Sequence, residues 1–140
     1  MTRRTPAKNN ERARAAQFID QILQDPNRTI DRVLGERNTD ADKAVTPLER
    51  ELVAGVLRRF FTLQHLVSSF LTKPLRDKDH DLFCLMLVGA YQLHYTHLPD
   101  HAAVNETVSA VPVLRKPWAR GLVNGVMRNM SRAKTSKESI

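Results

Sequence analysis

The chain has 140 residues, with 22 Lys and Arg against 15 Asp and Glu, for a net charge of +7. That length suits one domain around one hydrophobic core, and a single cysteine, Cys84, excludes an internal disulfide. The N-terminal MTRRTPAKNNERAR lacks the apolar stretch of a secretory signal, and the longest apolar run, Leu82–Tyr91, is too short to span a bilayer, so a cytoplasmic protein with no membrane association is expected.

Residues 1–10 read as a basic tail and residues 11–132 as a helical domain. The spacing of Ala15, Ile19, Ile22 and Leu23 predicts a helix over 11–24. A shorter one near 28–37 uses Ile30, Val33 and Leu34. Thr46-Pro47-Leu48-Glu49 then gives three helix-start signals together: a hydroxyl cap, a proline at the first helical position and a glutamate three residues after the cap. Leu48, Leu52, Val56 and Phe60 form the stripe that follows, and TLQHLVSSFL extends or restarts this helix before Lys73-Pro74. Residues 77–95 are apolar almost all round, which predicts a central helix. His97-Leu98-Pro99-Asp100 is a turn whose Asp100 is expected to cap a helix over 101–111. Pro112 and Pro117 bracket the connection to a last helix over 117–132, with an apolar stripe of Trp118, Leu122, Val126 and Met130. Residues 133–140 read as a polar tail or linker, with Lys134 and Lys137 in solvent. The fold class is all-α, about seven helices, with Leu52, Val56, Leu85, Val88, Trp118, Leu122 and Val126 in the core.

Sites for chemistry are sparse. The glycines are isolated within helical patterns, so no loop cradles a phosphate. Cys84, inside LFCLMLV, reads as core and not as a nucleophile. His94, His97 and His101 have ligand-like spacing, but a proline-containing turn separates the third from the others, and apart from Asp100 no cysteine or close carboxylate set completes the ligands. No metal, cofactor or catalytic residue is expected. Asn105 at the edge of its helix, and Asn124, are expected to hydrogen-bond nearby helix ends or loops, and Glu106 to sit nearly opposite the buried side.

The charge is more informative. Arg3, Arg4, Lys8, Arg12 and Arg14 stand against Glu11 at the start, and Arg115, Lys116, Arg120, Arg128, Arg132, Lys134 and Lys137 against Glu138 at the end, leaving a mildly acidic middle. Basic ends of this kind point to a polyanion, most often nucleic acid. On the last helix Arg120, Asn124 and Arg128 recur every four residues, with Gly121 beside them, away from the apolar stripe.

ERELVAGVLRRF, LTKPLRDKDHDLFCLMLVGAYQLHYTHLPDHAAVNETV and KPWARGLVNGVMRNM, in that order, resemble the NusB-like RNA-binding domain over roughly residues 12–132. The version at the N-terminus of RsmB (Fmu/Sun-type) small-subunit ribosomal RNA cytosine-5 methyltransferases is the most similar, through Lys73-Pro74-Leu75, Tyr91-Gln92-Leu93, Pro99 to Glu106 and Gly121 to Val126. The resemblance implies two small helical subdomains and RNA, specifically ribosomal RNA, as partner. It also implies an Arg-rich N-terminal RNA contact at Arg12 and Arg14 with Arg3 and Arg4 before them. Lys116, Arg120 and Arg128 are expected to join these in one basic surface. Asn124 falls in the family's last-helix motif. The usual helical continuation departs at Val111-Pro112-Val113, which predicts an unusual connection there. S-adenosylmethionine belongs to a methyltransferase domain that these segments do not include, so the chain is expected to dock RNA for such a domain and to catalyse nothing alone. The alternatives are a free-standing antitermination factor, binding RNA with a ribosomal protein, and a helical protein-interaction module.

Overall fold

The computed structural model describes residues 10–25, 27, 32 and 44–138. Among them lie six α-helices: α1 (Glu11–Gln24), α2 (Pro47–Arg58), α3 (Phe60–Ser69), α4 (His80–Tyr95), α5 (Asp100–Ser109) and α6 (Arg120–Glu138). Three single 3₁₀ turns, Asp77–Asp79, Pro112–Leu114 and Pro117–Ala119, join them, and no strand occurs among the described residues. The helix expected near 28–37 falls outside the described residues apart from Arg32, and Arg3 and Arg4 fall outside them altogether.

The helix starts follow local chemistry. Asn10 accepts a hydrogen bond from the Ala13 N–H at 2.9 Å and so caps α1. At α2 the Thr46 hydroxyl accepts from the Glu49 N–H at 3.1 Å, and Glu49 Oε1 accepts from the Thr46 N–H at 2.9 Å, the reciprocal box read from the sequence. Arg59 leaves helical geometry (φ −113°, ψ 27°), so the next segment restarts as α3 and does not extend α2.

Helix α4 is the axis of the fold. Its residues from Leu82 to Leu93 are buried with the exception of Phe83, and it packs against the other five helices. Two glycines permit the closest approaches. A Cβ on Gly55 would lie 2.2 Å from the ring of Tyr91, and one on Gly89 would lie 2.4 Å from the Met127 sulfur. Buried side chains of all six helices belong to one cluster, so the two small bundles expected from the resemblance share one core.

The last helix departs from its expected register. Val126 and Met130 are buried, but Trp118 is 60% exposed and Leu122 37%. The buried face is instead Ala119, Val123, Val126, Met127 and Met130. A strict four-residue spacing advances about 40° beyond a full turn at each step, so the expected stripe drifts about a third of a turn between Trp118 and Met130. The 3₁₀ turn at Pro117–Ala119 also replaces the first α-turn that the sequence suggested. At its other end α6 continues to Glu138 and does not stop at 132. The connection before it is irregular, as Val111-Pro112-Val113 suggested. Its 3₁₀ turn ends at Arg115, which adopts a left-handed conformation (φ 64°) uncommon for a residue with a side chain.

Candidate nucleic-acid interface

The expected basic residues divide into two groups according to what surrounds them. Arg12 lies on α1 and its side chain is only 15% exposed. Its Nε donates to Gln92 Oε1 of α4 at 2.9 Å, and its Nη1 stands 3.6 Å from Glu106 of α5. Gln92, itself buried, passes the connection on by donating to Thr107 Oγ1 at 3.3 Å and to the Val88 carbonyl at 3.2 Å. Arg12 thus ties α1 to two other helices. Arg14, 16% exposed, lies with its Nε 3.3 Å from Oε2 of the fully buried Glu49, and its guanidinium sits over the Phe18 ring at 5.7 Å. Glu49 Oε2 has no aligned hydrogen-bond donor, so the attraction from Arg14 is one of charge. Burial pushes the Glu49 carboxyl above the usual carboxylate range, against the lowering pull of the Thr46 N–H and of Arg14.

Lys116 is also engaged. Its ammonium lies 2.6 Å from Asp81 and 3.5 Å from Asp79 and donates to the Lys78 carbonyl at 2.9 Å, which fixes the approach to α6 against the start of α4. Each of Arg12, Arg14 and Lys116 thus has an internal fold-holding partner.

Arg120 and Arg128 are different. Both are exposed on α6, and neither pairs with another described residue. Arg128 borders a shallow hollow of about 500 Å³ between α5 and α6, lined also by His101, Asn105, Asn124 and Arg132. Asn105 is exposed and Asn124 half-buried, and neither amide hydrogen-bonds a described side chain or backbone group, contrary to the structural bonding expected of them. Gly121 and Gly125 lie along the same side of α6, and a Cβ on either would meet nothing within 4 Å. No packing partner therefore accounts for these glycines. Each lowers helix stability by about 1 kcal/mol relative to alanine, and what they leave is a bare helix flank between unpaired cations.

Asp100, the acid in the hollow, is neutralised locally. It opens α5 as a first-turn residue and makes no side-chain cap, correcting the expectation. Its carboxylate crosses to α6, accepting from Lys134 Nζ at 2.9 Å and Ser131 Oγ at 3.1 Å. Burial pushes its carboxyl up, but the Lys134 and Ser131 hydrogen bonds, with the charges of Lys134 and His94, outweigh burial and hold it below the usual range. Lys134, read from the sequence as a solvated tail residue, is a brace.

The three histidines of the suggested metal set do not come together among the described residues. The ligand-type side chains that do converge are Asp20, His80 and Cys84, whose ligand atoms lie within 4.8 Å of one another. His80 Nδ1 is 2.8 Å from Asp20 Oδ1 and 3.6 Å from Cys84 Sγ. Burial, then the charges of Asp20 and Asp81, push the Cys84 thiol far up, so it keeps its proton and is a poor nucleophile. This is a hydrogen-bonded node joining α1 to α4.

The NusB family model matches residues 9–132. The chain belongs to the NusB family. This NusB-family chain is 43% identical over 119 residues to a probable ribosomal RNA small subunit methyltransferase B of Coxiella burnetii, a match covering 85% of this chain and 26% of that protein. It is 38% identical over 123 residues to the ribosomal RNA small subunit methyltransferase B of Pectobacterium atrosepticum, covering 88% and 28%. The chain therefore spans about a quarter of the length of the curated relatives it matches, and it corresponds to their N-terminal portion. Among solved structures, T. maritima NusB has the same fold, with a TM-score of 0.68 at 17% identity and 93% of each chain covered. No described helix is long and apolar enough to cross a membrane.

Sequence reasoning did not single out Arg132, His101 or Gly125 as part of this NusB-family surface. The signal for Arg132 was present, since Asn124, Arg128 and Arg132 recur every four residues, but the helix was expected to end there.

Proposed function

We propose that this chain is the RNA-binding domain of a small-subunit ribosomal RNA methyltransferase of the cytoplasm, holding ribosomal RNA for a catalytic domain elsewhere in a longer protein. The RNA surface in this reading is the exposed flank of α6 with the edge of α5: Arg120, Asn124, Arg128 and Arg132, with Asn105 and His101 opposite. Arg3 and Arg4 remain candidates from the sequence, whereas Arg12, Arg14 and Lys116 act as fold-holding cations.

The observation that carries the reading is the bare α6 flank. Arg120 and Arg128 bind phosphates without first breaking an internal contact, free amides supply donors and acceptors, and glycines without packing partners let a sugar–phosphate backbone approach the helix closely. Such contacts position RNA and carry little sequence information, so the domain alone binds broadly. Identity of 43% to a methyltransferase relative, against 17% to a NusB structure, favours this reading over a free-standing antitermination factor. Photo-crosslinking to a uridine-rich single-stranded fragment of small-subunit ribosomal RNA, with the adducts mapped by mass spectrometry, tests it. Adducts on α5 and α6 are expected, and their absence from both helices overturns the assignment.

A further inference from the structure

The largest apolar side chain exposed at the start of the last helix, Trp118, does not belong to the α5–α6 hollow. It borders a separate groove of about 320 Å³, between the Pro117–Ala119 turn and the segment that links α3 to α4. Leu71, Pro74 and Leu122 supply further apolar lining, and Lys73 and Arg76 bring positive charge. Lys73 is exposed, and the Arg76 side chain is 72% exposed. Asp79, the acidic residue of the lining, is buried and lies 3.5 Å from Lys116 Nζ and 3.8 Å from Arg76 Nε, so its charge is offset from both sides. Lys78, Arg115 and Arg120 are exposed close by in sequence, against an exposed Asp77.

We infer that this groove is a second RNA contact, in which an unpaired nucleobase stacks on Trp118 while Lys73 and Arg76 hold the phosphates on either side of it. The inference rests on the RNA reading above and extends it from phosphate contact to base contact. Charge complementarity selects the occupant. The centre of a protein–protein interface is depleted of charge, particularly lysine, whereas here the exposed Lys73 and Arg76 line the same groove as Trp118. A flat apolar ring flanked by cations fits a nucleotide, whose base has a π-face and whose phosphates are anionic. Stacking accepts any base, so the groove adds affinity for single strands over duplex without choosing a sequence. It also accounts for a tryptophan held in solvent at the mouth of a helix whose apolar neighbours are in the core.

Trp118 is the chain's only tryptophan, so its emission reports on the groove directly. The test titrates the whole chain with a fluorescein-labelled oligouridine and with an abasic strand of the same length, reading tryptophan emission and label anisotropy together. Saturable quenching by the oligouridine, with the same midpoint as the anisotropy and little quenching by the abasic strand, is expected. Trp118→Ala should weaken oligouridine binding about tenfold, and Trp118→Phe should restore most of it, with unchanged melting temperatures because the side chain is exposed. Binding by anisotropy with no quenching and no effect of Trp118→Ala overturns the stacking site while leaving the RNA reading intact. Equal quenching by the abasic strand overturns it in the same way. A concentration-dependent blue shift of Trp118 without RNA, accompanied by dimer in sedimentation, assigns the groove to a second copy and also overturns it. No binding of either strand defeats both readings.

Discussion

Arg12 and Arg14 near the start of the chain, and Arg120 and Arg128 near its end, carry the same charge and looked equivalent as a pair of basic clusters. In the folded molecule the first pair is largely buried against Gln92, Glu106 and Glu49, and the second pair stands in solvent with no partner among the described residues. An arginine that is itself largely buried beside its partner offers little to a phosphate, because the new contact must first uncover it. An unpaired arginine on a bare helix needs no such exchange. On the proposed reading, position in the sequence therefore says less about RNA contact than the presence of an internal acceptor.

The largest effect expected from breaking this division lies on the first side. Arg14→Met leaves Glu49 buried without a countercharge and should lower stability on the order of 3 kcal/mol, reduced to the extent that Glu49 takes up a proton. Thermal or urea unfolding measures it, and RNA affinity of the folded variant below its transition should stay close to that of the parent. Full stability with abolished binding would exchange the roles of the two clusters.

Gly125→Ala sharpens the other side. Nothing lies within 4 Å of the added methyl group, so the variant should gain about 0.5–1 kcal/mol of stability through helix propensity. If the flank receives RNA, the same variant should bind more weakly despite being more stable. A gain in stability without any change in binding would remove the glycines from the surface. Asn105→Ala, exposed and without a described partner, should change stability by less than about 0.5 kcal/mol, whereas the sequence alone suggested a structural loss.

The smallest effect concerns the brace beside the hollow. Because the Asp100 carboxyl is held below its ordinary value of 3.8, the stability it contributes is present above that pH and is lost as pH falls through the lower folded value. Asp100→Asn should therefore melt slightly below the parent at neutral pH, by no more than about 1 kcal/mol for a half-buried pair at the surface. The two melting curves should converge in acid well below pH 3.8. A difference that persists unchanged there would assign the brace to packing instead of charge.

Much of the fold was legible because local signals agreed with one another. The Thr46–Glu49 box, the apolar run of α4 and the prolines around 112–117 each fixed an element on chemistry within a few residues. The register of α6 was less legible, since a 3₁₀ turn and the drift of a four-residue spacing moved Trp118 and Leu122 outward, and neither is visible in an apolar pattern. The site was half legible. The cations were plain in the sequence, but the acceptors that engage Arg12, Arg14 and Lys116 come from distant positions: Gln92 is 80 residues from Arg12, and Asp81 is 35 from Lys116. Tertiary pairing of that kind leaves no periodic trace.

The most direct test of the central claim is a salt titration of single-stranded RNA binding by two double variants beside the parent. Arg120→Glu with Arg128→Glu should bind more weakly and flatten the plot of log affinity against log salt by about 0.7 for each phosphate that is no longer neutralised, with little change in unfolding. Arg12→Gln with Arg14→Gln should unfold more readily yet, while folded, keep the parent's slope. Parental affinity and slope in the α6 variant, together with a flattened slope in the α1 variant, would contradict the account.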